Sequence, residues 1–118
     1  PYNDSTHHCL DCDFIAKMNK PFYIINTARG KVVRTESLVK GLQEGAILGA
    51  CLDVLEFEKA SFENMFDTVI PTSFQYLLDS KKVLLSPHIA GWTVESYYKL
   101  SSVLADKIGE WEMVKRKW

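Results

Sequence analysis

Three short apolar runs alternate with stretches whose apolar residues recur at helical spacing, and that alternation restricts the chain more than any other feature. The runs are Phe22-Tyr23-Ile24-Ile25, Ile47-Leu48-Gly49-Ala50-Cys51-Leu52 and Val83-Leu84-Leu85. Each is too short for a stable helix and too apolar for a solvated loop, so each reads as a buried strand. Strands separated by helices imply crossover connections and a parallel sheet. The fold class that follows is α/β, with about three strands, flanking helices and a long C-terminal helix. Three strands make half of a doubly wound sheet rather than a whole one. A sheet that narrow leaves apolar edges uncovered, which suggests self-association or swapping.

The helical stretches are legible in more detail. Leu10, Phe14, Ile15 and Met18 fall on one side of a helix expected over residues 5–18, which Asn19-Lys20-Pro21 stops. A strand over residues 22–27 follows, and Gly30 permits a turn after Arg29. Thr35 is expected to cap the next helix, with Glu36 in its first turn and Gly45 as its terminator. Leu38, Val39, Leu42 and Ala46 form its buried stripe. The strand over residues 47–54 holds Gly49 and Ala50, small residues that suggest close approach of a neighbouring helix. Two short helices are expected over residues 62–66 and 74–78, with Pro71 between them. A strand over residues 82–86 leads to a long helix beginning near Thr93, with Tyr97, Leu100, Leu104, Ile108 and Trp111 on one face.

Composition narrows the function classes. At 118 residues the chain fits one domain. Fourteen basic against fifteen acidic side chains give a net charge of -1, with no general attraction for nucleic acid or an anionic membrane. No apolar stretch approaches the length of a transmembrane helix, and the N-terminus lacks a signal-peptide pattern. Three cysteines are an odd number and one lies in an expected strand, so a reducing cytoplasm is expected rather than a disulfide framework. The chain opens on Pro1 without an initiator Met and reads as a fragment.

Ligands of open α/β sheets bind beyond the carboxyl ends of the strands, and polar residues stand there after each run. Arg29 follows the first, and its guanidinium suits a two-pronged grip on a carboxylate. Asp53 ends the second and is placed to touch a cofactor, with Glu58 beyond it and Glu56 as its rival. A carboxylate beside a histidine orients the ring and favours its charged form. His88 follows the third, between Pro87, which stiffens the backbone, and Gly91, which permits close approach of a ligand. Each of these residues taken alone also suits a solvated or structural role. Trp92 suits the wall of a substrate pocket, and still better packing between helix and sheet. His7-His8-Cys9-Leu10-Asp11-Cys12 has metal-ligand chemistry, but no second ligand pair follows at matching distance, so no metal is expected.

Together these residues resemble the NAD-dependent D-isomer-specific 2-hydroxyacid dehydrogenases, the group that includes D-3-phosphoglycerate dehydrogenase. Asn26-Thr27-Ala28-Arg29-Gly30 is similar to the family's Arg motif. Gly49-Ala50-Cys51-Leu52-Asp53-Val54 with Glu58 is similar to its Asp and Glu segment, and Ser86-Pro87-His88-Ile89-Ala90-Gly91 to its His motif. Lys59 stands where the family usually has Pro after the Glu. The resemblance implies that residues 1–92 are the later half of a Rossmann-like NAD-binding domain. Residues 93–118 would then be a C-terminal helix returning toward a substrate domain that the chain does not contain. It implies an oxidoreductase fragment that moves a hydride between NAD, with NADP left open, and a D-2-hydroxy or 2-keto acid. Arg29, Glu58 and His88 would be catalytic, and Thr27, Ala28, Arg29, Asp53, His88 and Gly91 would contact the cofactor. The intact protein would be a homodimer. No Gly-x-Gly-x-x-Gly occurs, so the phosphate-binding turn is expected upstream and the chain alone is expected to be inactive. The rival reading is a relative that senses NAD(H) and binds other proteins in the manner of a corepressor.

Overall fold

The computed structural model describes residues 2–57 and 70–115. They form two compact units, Pro1–His88 and Ile89–Trp118. The first unit holds α1 (Cys12–Ala16), β1 (Phe22–Asn26), α2 (Thr35–Glu44), β2 (Ile47–Leu52), α3 (Thr72–Asp79) and β3 (Val83–Leu85), and a 3-10 turn at Gly30–Val32 lies between β1 and α2. The second unit is built on α4 (Val94–Lys115). Among the described residues the strands form one parallel sheet in the order β1-β2-β3, which is the α/β arrangement the alternating pattern predicts.

The core lies on one side of that sheet. Ile24, Ala50 and Leu52 point toward Leu38, Leu42 and Leu77 of the helices, and Leu42 and Ile47 are wholly removed from solvent. Burying a side chain of that kind contributes about 1.5–3 kcal/mol, so this cluster is the main cohesive term of the unit. α2 is held at both ends. Gly45 takes the left-handed conformation (φ 80°) that closes a helix, a position where a side chain would be strained. At the other end Arg34, not Thr35, is the N-cap, and it provides no side-chain hydrogen bond.

The opposite face is bare. Tyr23, Ile25, Cys51 and Leu84 all point outward and are exposed, so what stands uncovered is a sheet face and not only an edge. Parallel sheets ordinarily bury both faces. The small Gly49 answers a different neighbour from the helix expected: a side-chain carbon there would stand 3.0 Å from the Lys82 carbonyl and 3.3 Å from the Tyr23 ring.

Other elements also depart from the sequence pattern. The first helix begins only at Cys12, because Leu10 pairs with Val33 in a parallel bridge and His8 takes a left-handed conformation (φ 51°). Asp11 then caps the short helix by accepting from the Phe14 amide at 2.9 Å. Strands β2 and β3 are shorter than expected, ending at Leu52 and Leu85, although the Asp53 and Ser86 amides still donate to the Asn26 and Leu52 carbonyls of the neighbouring strands. The helix expected over residues 74–78 extends to Thr72–Asp79, and the one over 62–66 lies outside the described residues. In the second unit Thr93 Oγ1 accepts from the Ser96 amide at 3.1 Å and starts α4. Tyr97, Leu100, Leu104, Ile108 and Trp111 of α4 are all exposed. No helix among the described residues is long and apolar enough to cross a membrane.

Candidate functional site

Parallel pairing sets the three strand ends abreast. Asn26 lies opposite Leu52, and Leu52 opposite Leu85. The segments bearing Arg29, Asp53 and His88 therefore leave the sheet side by side at its carboxyl edge, where open α/β sheets bind ligands.

Asn26 organises the first of these segments. Its buried side chain donates from Nδ2 to the Arg29 carbonyl at 3.1 Å and accepts at Oδ1 from the Ala28 amide at 3.1 Å. An Asn that bonds the backbone two and three residues ahead folds the chain into a tight turn. Thr27, Ala28 and Arg29 are thereby held out in solvent. Arg29 is extended (φ -148°), and its Nη1 donates to the Ala28 carbonyl at 2.7 Å. The sequence reading gave Asn26 no role, although an Asn at a strand end ahead of a turn is itself a signal.

Gly30 opens the turn expected after Arg29 and has a second task besides. It is buried in the 3-10 turn, and a side-chain carbon there would lie 1.9 Å from the Leu55 carbonyl oxygen. Only a residue without a side chain lets the segment after β2 cross the segment after β1 at that distance. The two strand-end segments are thus in direct backbone contact beside Arg29.

Asp53 is buried, and its carboxylate accepts from Ser86 Oγ at 2.6 Å. Its amide donates to the Asn26 carbonyl at 3.0 Å, and the Ser86 amide donates to the Leu52 carbonyl at 3.0 Å. One acidic residue therefore ties all three strand ends together, with a further partner besides. Ser86 belongs to this cluster and had no role assigned from the sequence.

His88 closes the third segment, half-buried and with φ 57°. A non-glycine residue held left-handed is uncommon, and such strain gathers at functional positions. Its amide donates to the Ser86 carbonyl at 3.0 Å, which turns the chain sharply at the strand end. Gly91 and Trp92 belong to the second unit. A side chain at Gly91 would meet nothing within 4 Å, and Trp92 is exposed rather than packed between helix and sheet.

Glu58 and Lys59 lie outside the described residues. The rival Glu56 is engaged elsewhere: His8 Nε2 donates to its Oε1 at 2.5 Å, and the Thr35 amide donates to its Oε2 at 2.7 Å. Burial pushes this carboxyl up. The Thr35 backbone and side-chain bonds, followed by the bond and charge of His8, outweigh it, and the group lies below the ordinary carboxylate value. The neighbouring sulfur residues also have local partners, with Cys12 Sγ donating to Ser37 Oγ at 3.1 Å. Among the described residues no three His, Cys, Asp or Glu side chains gather in a way that could hold a metal ion.

Known proteins share this arrangement. The sequence model of the D-isomer specific 2-hydroxyacid dehydrogenase NAD binding domain matches residues 1–90. The chain is 40% identical over 105 residues to the glyoxylate reductase of Thermofilum pendens, covering 89% of this chain and 28% of that protein. It is 34% identical over 95 residues to the D-lactate dehydrogenase of Treponema pallidum, covering 79% of this chain and 29% of that one. Among solved structures, Aquifex aeolicus D-lactate dehydrogenase complexed with NAD and lactic acid superposes with a TM-score of 0.69 at 32% identity, covering 98% of this chain and 37% of that one. The chain thus spans about a third of the length of the relatives it matches. A match running from the first residue through the His88 segment, on a fold that sets the same strand ends abreast, means that the chain belongs to the D-isomer-specific 2-hydroxyacid dehydrogenase family, in its NAD-binding domain.

Proposed function

We propose that the whole protein transfers a hydride between a nicotinamide cofactor and a D-2-hydroxy or 2-keto acid, with Arg29, Glu58 and His88 as its catalytic residues. The observation that carries this reading is the left-handed His88 on a strand end abreast of the ends that lead to Arg29 and Asp53. The relatives' names, reductases and dehydrogenases, favour turnover over a corepressor-like role.

The residues at the strand edge fit the nicotinamide end of such a cofactor. Asp53 is a buried carboxylate held at that edge by Ser86, Thr27 offers an exposed hydroxyl, and Ala28 a small side chain that leaves room for a ring. When bound, the nicotinamide supplies or accepts the hydride at its C4. His88 takes the substrate's hydroxyl proton as the C2 hydride leaves, and returns it to the carbonyl oxygen in the reverse direction. In this reading Glu58 is the carboxylate partner of His88. Arg29 grips the substrate carboxylate through two parallel hydrogen bonds and holds C2 in line for transfer.

Three exposed free cysteines, at positions 9, 12 and 51, support a reducing cytoplasm. In this reading the whole protein is a homodimer.

His88→Ala in the whole protein is expected to abolish turnover of 2-keto acids with NADH while cofactor affinity stays within about twofold. Undiminished turnover would overturn the assignment. The 118-residue chain alone is expected to bind NAD weakly, because it contains no glycine-rich phosphate turn. Micromolar affinity in a calorimetric titration would refute that expectation.

A further inference from the structure

Glu56 is a strongly bonded carboxylate with no part in the hydride-transfer chemistry. Both oxygens of Glu56 are used, and their partners come from far along the chain: His8 is 48 residues away and Thr35 is 21. The α2 N-terminus is the positive end of its helix and leaves amides unsatisfied, so a carboxylate there is favoured twice over. Arg34 makes no side-chain capping bond to the amides at that end, and Glu56 supplies one from the neighbouring segment.

His8 is itself anchored. Its amide donates to the Lys31 carbonyl at 2.9 Å, inside the 3-10 turn, and its ring stacks on His7 with centroids 3.8 Å apart. The Leu10 amide donates to the Val32 carbonyl, and the Arg34 amide to the Leu10 carbonyl. Both partners of Glu56 are therefore tied to residues 31–35. The residue before Glu56 is Leu55, whose carbonyl presses on Gly30, next to Arg29.

We propose that Glu56 is a positioning residue: by bridging His8 and Thr35 it fixes where the segment leaving β2 crosses the Arg29-Gly30 turn. It thereby sets the spacing between the carboxylate grip of Arg29 and the groups delivered from β2. This proposal rests on reading the strand edge as the hydride-transfer site. Glu56 acts through Leu55 and Gly30, not through contact with substrate.

Glu56→Gln removes the charge, so the bonds to the Thr35 amide and to His8 both lose their charge assistance. In the 118-residue chain, amide exchange at Thr35 is expected to quicken by about tenfold, with chemical-shift changes reaching Gly30 and Arg29. In the whole protein, kcat for a 2-keto acid is expected to fall about tenfold while the KM for NADH stays within about twofold. His8→Ala should lower kcat in the same way. His8→Gln, which keeps an N–H donor near the Nε2 position, should restore it to within about threefold of the parent.

Shift changes confined to His8 and Thr35, or an unchanged kcat in Glu56→Gln, would overturn the proposal. A whole protein with no turnover at all would overturn the hydride-transfer reading instead, and the exchange and shift data would still decide whether Glu56 positions the turn. If Glu56→Gln does not fold, the two His8 variants supply the same readouts with the bond to Thr35 retained.

Discussion

Replacing Gly30 by alanine tests the packing that holds the candidate site together. The added carbon would fall 1.9 Å from the Leu55 carbonyl oxygen, 2.0 Å from its carbon and 2.6 Å from the Glu56 nitrogen. All three atoms are backbone, so no side chain can swing aside. One segment must retreat by about 1 Å to reach even the tightest contacts seen in proteins, and by more to reach comfortable van der Waals distance. Overpacking of this severity belongs at the upper end of the usual range, about 3 kcal/mol. With a urea slope of about 1.5 kcal/mol per molar, the unfolding midpoint would fall by about 2 M. The assay is equilibrium urea unfolding of the 118-residue chain, followed by circular dichroism. Gly45→Ala is the control. Nothing lies within 4 Å of its added carbon, and its cost comes only from φ 80°, about 1–2 kcal/mol. If Gly30→Ala unfolds at the parent midpoint, or costs less than Gly45→Ala, the contact between the Arg29 turn and the segment after β2 is not the constraint described.

The remaining predictions concern the core and pH. Leu42→Ala, at a fully buried site between α2 and the sheet, should cost about 2–5 kcal/mol in the same unfolding assay; a loss under 1 kcal/mol would mean that the helix layer is loosely packed. Glu56 has a folded pKa below its unfolded value of 4.5, so its contribution is fully present above that pH and is lost as pH falls through the lower folded value. Acid titration of stability should therefore be shallower in Glu56→Gln than in the parent below pH 4.5, and identical slopes would contradict the bonding of Glu56 to Thr35 and His8.

The strand positions were legible because their signal is local. Four to six apolar residues in a row, bounded by Pro, Gly and Asn, can be buried in a parallel sheet and nowhere cheaper. Arg29, Asp53 and His88 were legible for the same reason, since a strand end can be counted along the chain. The first helix was misjudged because Leu10 has the helical period but finds its partner in Val33, across the fold. Thr35 looked like a cap because such residues usually are, yet the acceptor for its amide is a carboxylate 21 residues later.

By itself the sequence determined the α/β class, the order of elements, the family motifs and the edge at which the polar residues emerge, because periodicity and turn chemistry are properties of neighbouring residues. Only the tertiary structure decided that Asp53 ties the strand ends through Ser86, that Gly30 serves a backbone crossing as well as a turn, and that Glu56 belongs to His8 and Thr35. Those outcomes depend on which donors meet which acceptors once the chain is packed. A carboxylate reads the same in every loop until the amides and rings that surround it are known.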